Sequence, residues 1–174
     1  MLLSNYWLIK EYCDRVVPYD TAYGVNLGAK TIDGETNYDV YVSTGAGSGS
    51  SFDALCGPTR CLKNNLTARL GSGTTTETVG DYCLDTDITS SFTNVSVSKT
   101  TSVNGGSIVT VITITATNTT SADLTINEVG LGKDIYINST KDTRYFLLLR
   151  TVLDDAVTVP SNQTATITIS WTES

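Results

Sequence analysis

At 174 residues the chain is long enough to bury a core of its own as one sandwich domain, without a metal or disulfide staple. Charged residues supply only 17% of it, and Thr, Ser, Asn and Gly fill the deficit, a balance that favours pleated strands over helices. A net charge of −7 argues against sequence-independent nucleic-acid binding and against attachment to an anionic membrane surface, since both need a cationic face, and the lack of histidine removes the commonest general base and metal ligand.

The first segment, Ser4 to Val17, has the marks of a short helix, with Ser4 as N-cap and Leu8, Tyr12 and Val16 at fourfold spacing. It has no basic leader or small-residue cleavage site, so a secretory signal is not expected, nor is a stretch able to span a bilayer. Tyr6, Trp7 and Leu8 either pack on the rest of the chain or dock, as an arm over residues 1–20, on a neighbouring subunit. Residues 21–90 read as an irregular, β-rich segment packing on the main domain, with strands at Tyr38–Val42 and Leu66–Leu70. Between them, Gly45 to Ser51 is glycine-rich but lacks the Gly-Lys-Ser/Thr ending of a phosphate-binding loop. Cys56 and Cys61 flank Gly57-Pro58, where a turn allows a disulfide; free thiols, or a zinc site with Cys13 and Cys83, are the alternatives.

From residue 91 to 174 the alternation becomes regular. Val95 and Val97 alternate with polar residues, and Asn104-Gly105-Gly106 supplies the positive-φ residues of a tight hairpin. Ile108, Ile112, Ile114 and Ala116 share the apolar face of the next strand. Leu124 and Ile126 open another, expected to end near Gly130, with a separate short strand at Ile135–Ile137. Tyr145, Phe146, Leu147, Leu148 and Leu149 are apolar on both faces, so the run is either a central strand or a contact with another subunit. Last, Ala165, Ile167, Ile169 and Trp171 alternate with Thr164, Thr166, Thr168 and Ser170. Short strands about every 10 residues with Gly/Asn/Ser turns predict an all-β, antiparallel two-sheet β-sandwich, Ig-like or jelly-roll-like.

Catalytic chemistry finds little footing. Without histidine, a serine or cysteine nucleophile lacks its usual activator. The carboxylate pairs Asp33/Glu35, Asp85/Asp87 and Asp154/Asp155 have the spacing of solvated turns, and nothing marks a sugar cleft beside them. Asp81, Asp85 and Asp87 are conceivable calcium ligands but match no known loop spacing. Tyr6, Trp7, Tyr19, Tyr23, Tyr38 and Tyr41 are conceivable platforms for a carbohydrate or receptor, although aromatics in such positions more often fill cores. The expectation is a non-enzyme with no cofactor.

Three short motifs add to this reading. Gly71-Ser72-Gly73-Thr74-Thr75 is followed by Asp81-Tyr82-Cys83-Leu84; then come Ile126-Asn127-Glu128-Val129-Gly130-Leu131 and Leu148-Leu149-Arg150. Their order and spacing resemble those of uncharacterised bacteriophage minor structural proteins of the tail, collar or virion surface, over residues 66–174. The same proteins end in a Pro-Val-Thr-Val…Gly…Thr-Ile-Thr strand pair, here Ala156-Val157-Thr158-Val159 to Thr166-Ile167-Thr168. Ala156 stands where Pro is usual and Asn162 where Gly is frequent, both expected in turns, and Gly132-Lys133 is shorter than their loop after Gly-Leu. The resemblance implies a virion component assembled in the host cytoplasm, in contact with other virion proteins and with copies of itself as a homo-oligomer. It would serve as a tail- or neck-associated adaptor, collar or fibre-base component, or as a capsid-decoration protein on the head. Within the motifs, Gly130 suits a close backbone approach, Glu128 suits hydrogen bonds from an adjoining turn, and Arg150 is its expected charge partner, while Trp171 is expected to be structural.

Overall fold

The computed structural model describes residues 24–26, 30–34, 39–41, 66–137 and 142–173. The expected N-terminal helix, the Tyr6-Trp7-Leu8 arm and the cysteines at 13, 56 and 61 lie outside the described residues. A short antiparallel pair, β1 (Gly24–Asn26) and β2 (Asp39–Tyr41), precedes the main body. There follow β3 (Thr67–Gly71), a single 3₁₀ turn at Thr89–Ser91, β4 (Phe92–Asn104), β5 (Ser107–Asn118), β6 (Leu124–Ile137), β7 (Asp142–Val159) and β8 (Thr164–Glu173).

These strands form two antiparallel three-stranded sheets, one ordered β3-β6-β7 and the other β4-β5-β8. The chain is an all-β two-sheet sandwich. β3 is an outer strand of the first sheet, so the sandwich draws on residues from 66 onward and not only on those after 91. Ala68, Leu70, Ile126, Val129, Leu131, Leu149 and Val159 from one sheet meet Phe92, Ile112, Ile114, Ala116, Ala165 and Ile167 from the other. Each large side chain removed from water there contributes about 1.5–3 kcal/mol.

The β4–β5 hairpin turns through Gly105 (φ 58) and Gly106 (φ 87), with Asn104 opposite Ser107. Both central residues have positive φ, the condition for a hairpin turn whose twist matches its strands. The hairpin runs on past the core. Ile108, expected inside, is 43% exposed, and Val103 opposite it is 76% exposed.

β6 does not stop at Gly130 but continues to Ile137. Between Leu131 and Gly132 its pairing shifts by a bulge, as Leu131 faces Leu149 while Gly132 faces Leu147. The extra residue re-phases β7, so the two sides of the bulge present their apolar residues to different neighbours.

A buried asparagine holds the corner where the sheets join. Asn118 has no exposed surface. Its Nδ2 donates to the carbonyls of Ala122 (2.8 Å) and Val159 (2.9 Å), and its Oδ1 accepts from the Thr120 amide (2.9 Å) and hydroxyl (2.8 Å). Its backbone closes the Pro160–Gln163 turn, donating to Gln163 O and accepting from Asn162 N.

Candidate functional site

The outer face of the β3-β6-β7 sheet is covered by the loop from Ser72 to Ile88, and glycines let it lie close. A Cβ on Gly71 would stand 2.4 Å from Glu128 Oε1, and one on Gly73 would stand 2.6 Å from the same oxygen. A Cβ on Gly130 would meet Leu147 Cδ1 at 2.6 Å and Leu84 Cδ2 at 3.0 Å. Leu84 thereby drops onto the sheet, forming a small second core with Tyr145, Leu147 and the edge of Ile32.

At the centre of this cover lies an ionic hub. Arg150, 3% exposed, donates from Nε to Glu128 Oε2 at 2.7 Å, from Nη1 to Asp81 Oδ2 at 2.6 Å, and from Nη2 to the Thr75 carbonyl at 2.9 Å. Glu128 is fully buried, and its other oxygen accepts the Thr86 amide at 3.0 Å. Asp81 also accepts from the Thr78 amide (3.0 Å) and hydroxyl (2.7 Å). The loop is thus fastened near its start, at its tip and near its end by two side chains that rise from neighbouring strands. Further ties come from Asn127 Nδ2 to the Ser72 carbonyl (2.7 Å) and from the Arg69–Asp87 pair at 3.1 Å.

Burial by itself would raise the Asp81 carboxyl. The Thr78 hydroxyl and amide, and then Arg150, outweigh it and hold the group below the usual carboxylate value. Burial likewise opposes the charge on Arg150, but Asp81 and Glu128 bind it more firmly as a cation. Cys83, a free and half-buried thiol, is pushed up by burial and then by the charge of Asp81, which leaves it protonated and weakly nucleophilic at neutral pH. Beside the hub is an open depression of about 320 Å³ lined by Thr75, Thr78, Tyr82, Cys83, Asp85 and Arg150 among others. Tyr82 is itself engaged, with Lys30 Nζ 3.9 Å from its ring centroid.

The sequence-predicted residues fall as follows. Glu128, Gly130 and Arg150 come together in the hub, joined by Asp81. Asp81, Asp85 and Asp87 do not converge on a common point. Asp81 goes to Arg150, Asp85 accepts the Thr75 hydroxyl (2.8 Å), and Asp87 pairs with Arg69 and caps the Thr89 amide (2.8 Å). Among the described residues no group of three or more His, Cys, Asp or Glu is placed to hold a metal. Asp33 pairs with Arg144 at 3.6 Å, and Asp154 and Asp155 are exposed on β7.

Tyr145, Phe146, Leu147 and Leu148, taken as contact candidates, are each at most 5% exposed within this one chain. Their side chains therefore offer no surface to a neighbour. The loop covers Tyr145 and Leu147 through Leu84, and Leu149 beyond the bulge joins the core between the sheets. Tyr145 also donates from its hydroxyl to the Thr67 carbonyl (3.0 Å) under the Arg69 guanidinium, and burial drives its phenol well above the ordinary value. Trp171 lies on β8 opposite Thr110, and its side chain is outside the described residues. Of the aromatics suggested as platforms, Tyr41 lies on β2 with its side chain undescribed, and Tyr6, Trp7, Tyr19, Tyr23 and Tyr38 lie outside the described residues.

Two residues of consequence were not singled out for these roles. Asp81 sits 69 positions from Arg150, with no local pattern to join them, and Asn118 reads as an ordinary turn residue. Comparison with protein-family models, with curated proteins and with solved structures found no match to this chain.

Proposed function

We propose that this chain is a non-catalytic structural protein of a bacteriophage particle, a tail- or neck-associated adaptor, collar or fibre-base component present in repeated copies. One observation carries the proposal. The separate motifs that resemble phage structural proteins meet in space and are consumed by a single structural task. Gly71 and Gly73 make room for Glu128; Asp81 and Glu128 clasp Arg150; Leu84 packs over Gly130. Every oxygen of the two hub carboxylates is engaged by a donor, which suits holding a loop in place better than moving a proton to or from a substrate.

The test is direct. Antibodies raised against the purified chain should label intact particles from the lysate that carries its gene, and peptides of the chain should recur in the mass spectrum of those particles. Gold at the neck or tail supports the adaptor reading, whereas gold over the head replaces it with a capsid-decoration role. Absence of the chain from purified particles would overturn both.

A further inference from the structure

Each sheet of the sandwich has two outer strands, and three of the four carry a device against stray pairing. The outer edge of β3 is occupied by its own loop. Ser72 N donates to Thr86 O and Ile88 N to Leu70 O, both at 2.9 Å, and the Thr89 hydroxyl accepts from Leu70 N. β7 gives its Tyr145 carbonyl to Ile32 N, then loses regular pairing between Val152 and Val157, where Asp154 and Asp155 are exposed. β4 carries Lys99 and is broken between Thr93 and Ser96, with Asn94 at φ 51. Charges, bulges and covering loops are the means by which natural sheets blunt their edges.

β8 has none of these. From Thr164 to Thr172 it holds no charge and no proline, and its pairing with β5 is unbroken from Thr117↔Thr164 to Ile108↔Glu173. Among the described residues no strand or loop is bonded to its other edge. Such a strand presents a row of backbone donors and acceptors ready for one more partner.

We propose that the outer edge of β8 pairs antiparallel with β8 of a second copy of this chain, joining two β4-β5-β8 sheets into one six-stranded sheet across a twofold axis. The choice of occupant rests on self-complementarity. About an axis through Ile167, Thr166 meets Thr168 of the second copy, and Ala165 meets its Ile169. Hydroxyl thus faces hydroxyl on the wet side and aliphatic faces aliphatic on the core side. The sheet already uses these matches, pairing Thr115 with Thr166, Thr113 with Thr168 and Ile114 with Ile167. It also bonds hydroxyls across strands, Thr117 to Thr164 at 2.8 Å and Ser96 to Thr115 at 2.7 Å. Two molecules of net charge −7 repel over most of their surface, and an uncharged edge is where they can approach. A closed twofold dimer also uses up the edge and so prevents open-ended growth. The inference rests on β8 itself and holds whether or not the chain belongs to a virion.

Sedimentation velocity on the full chain over a wide concentration range tests it, together with the variant Thr166→Lys/Thr168→Lys. Both threonines are exposed, so the variant keeps the fold, and in the pair lysine would face lysine. The wild type is expected to be a dimer, with dissociation made easier by about tenfold or more in the variant. The matched change Ser98→Lys/Thr100→Lys on β4, also at exposed positions, is expected to leave the dimer intact. A wild type that stays monomeric at the highest concentration overturns the proposal. So does a dimer indifferent to the β8 lysines, or one weakened equally by both pairs.

Discussion

Arg150→Met is the perturbation that asks most of the ionic hub. Methionine keeps an apolar stem of similar reach and removes the charge, so packing is largely conserved while Glu128 and Asp81 lose their common partner. The two carboxylates then differ. The Asp81 side chain is 20% exposed and can rehydrate, whereas Glu128 at 0% cannot and keeps only the Thr86 amide. Removing one member of a buried pair costs about 3–5 kcal/mol because the other charge is left uncompensated. For a chain of this size that is a fall of roughly 6–20 °C in Tm. Glu128→Gln alone is milder but not neutral. Thr86 N and Arg150 Nε approach different oxygens of the carboxylate, so in glutamine the amide nitrogen faces one of them and that donor is stranded at about 1–3 kcal/mol. The informative variant is the double one. With Arg150 gone, glutamine at 128 can accept from Thr86 and carries no charge, so E128Q should restore about 1–3 kcal/mol to R150M. Urea unfolding followed by far-ultraviolet circular dichroism measures all three, and hydrogen exchange over residues 72–88 reports whether the loop is released. An R150M protein within about 0.5 kcal/mol of wild type, the scatter of ordinary surface changes, would refute the reasoning. Simple addition of the two single effects would refute it as well.

Acid should loosen the same loop. The Asp81 carboxyl titrates below its ordinary value of 3.8 in the folded chain, so on acidification the unfolded chain takes up its proton first. The stabilisation is therefore complete above the unfolded value and is lost as pH falls through the folded one. Asp81→Asn should differ most from wild type near neutrality and converge with it at strongly acid pH, as measured by urea midpoints across the range. At the bulge, Gly132→Ala places a Cβ 2.3 Å from the Phe146 carbonyl, a backbone atom with little room to yield, and should destabilise by about 1–3 kcal/mol in thermal melts. Gly105→Ala meets no atom and should lose only about 1 kcal/mol to its positive φ. Asn118→Ala takes the acceptor from the Thr120 amide and a donor from the Val159 carbonyl, while the Thr120 hydroxyl keeps the Ala122 carbonyl at 2.9 Å, and should lose about 1–3 kcal/mol, visible in the same melts.

The strands were legible where one face is buried and the other wet. β5 and β8 alternate Ile or Ala with Thr, and the Gly105–Gly106 turn between β4 and β5 is set by residues that accept positive φ. Arg150 was legible as a partner for Glu128 because it is the charge that the later strand offers, at the end of the apolar run Tyr145–Leu149. What escaped depends on distance or on where a strand ends in space. Ile108 has the phase of Ile112 and Ile114, yet the hairpin outruns the opposing sheet and leaves it in solvent. The strand end expected near Gly130 does not occur, since β6 runs on to Ile137. The close approach expected at Gly130 is made by Leu147 and Leu84, and Gly132, not singled out, lies against the Phe146 backbone. The run Tyr145–Leu149 announced that it was covered on both faces, but the cover of Tyr145 and Leu147 lay in Leu84 and Ile32, far away in sequence.

These particulars explain why a polar hub sits over a sheet that could have been covered with aliphatic side chains. Backbone bonds tie the Ser72–Ile88 cover only at its two ends, so side chains fix its path between them. An apolar anchor such as Leu84 is non-directional and tolerates sliding by a few ångströms. Arg150 does not, because its planar fork meets Glu128, Asp81 and the Thr75 carbonyl along separate directions, and a shift of the loop breaks all of these at once. Such a pair adds little net stability compared with a well-packed hydrophobic substitute. Its contribution lies in register, placing the exposed turn of Thr74, Thr76 and Val79 at one position on the sheet. A variant that replaces Arg150, Glu128 and Asp81 together by Met, Gln and Asn, so that the Thr86 amide keeps an acceptor, should therefore come close to wild type in unfolding free energy while exchanging amide protons faster across residues 72–80. Slow exchange in that variant would mean that Leu84 alone sets the path of the loop.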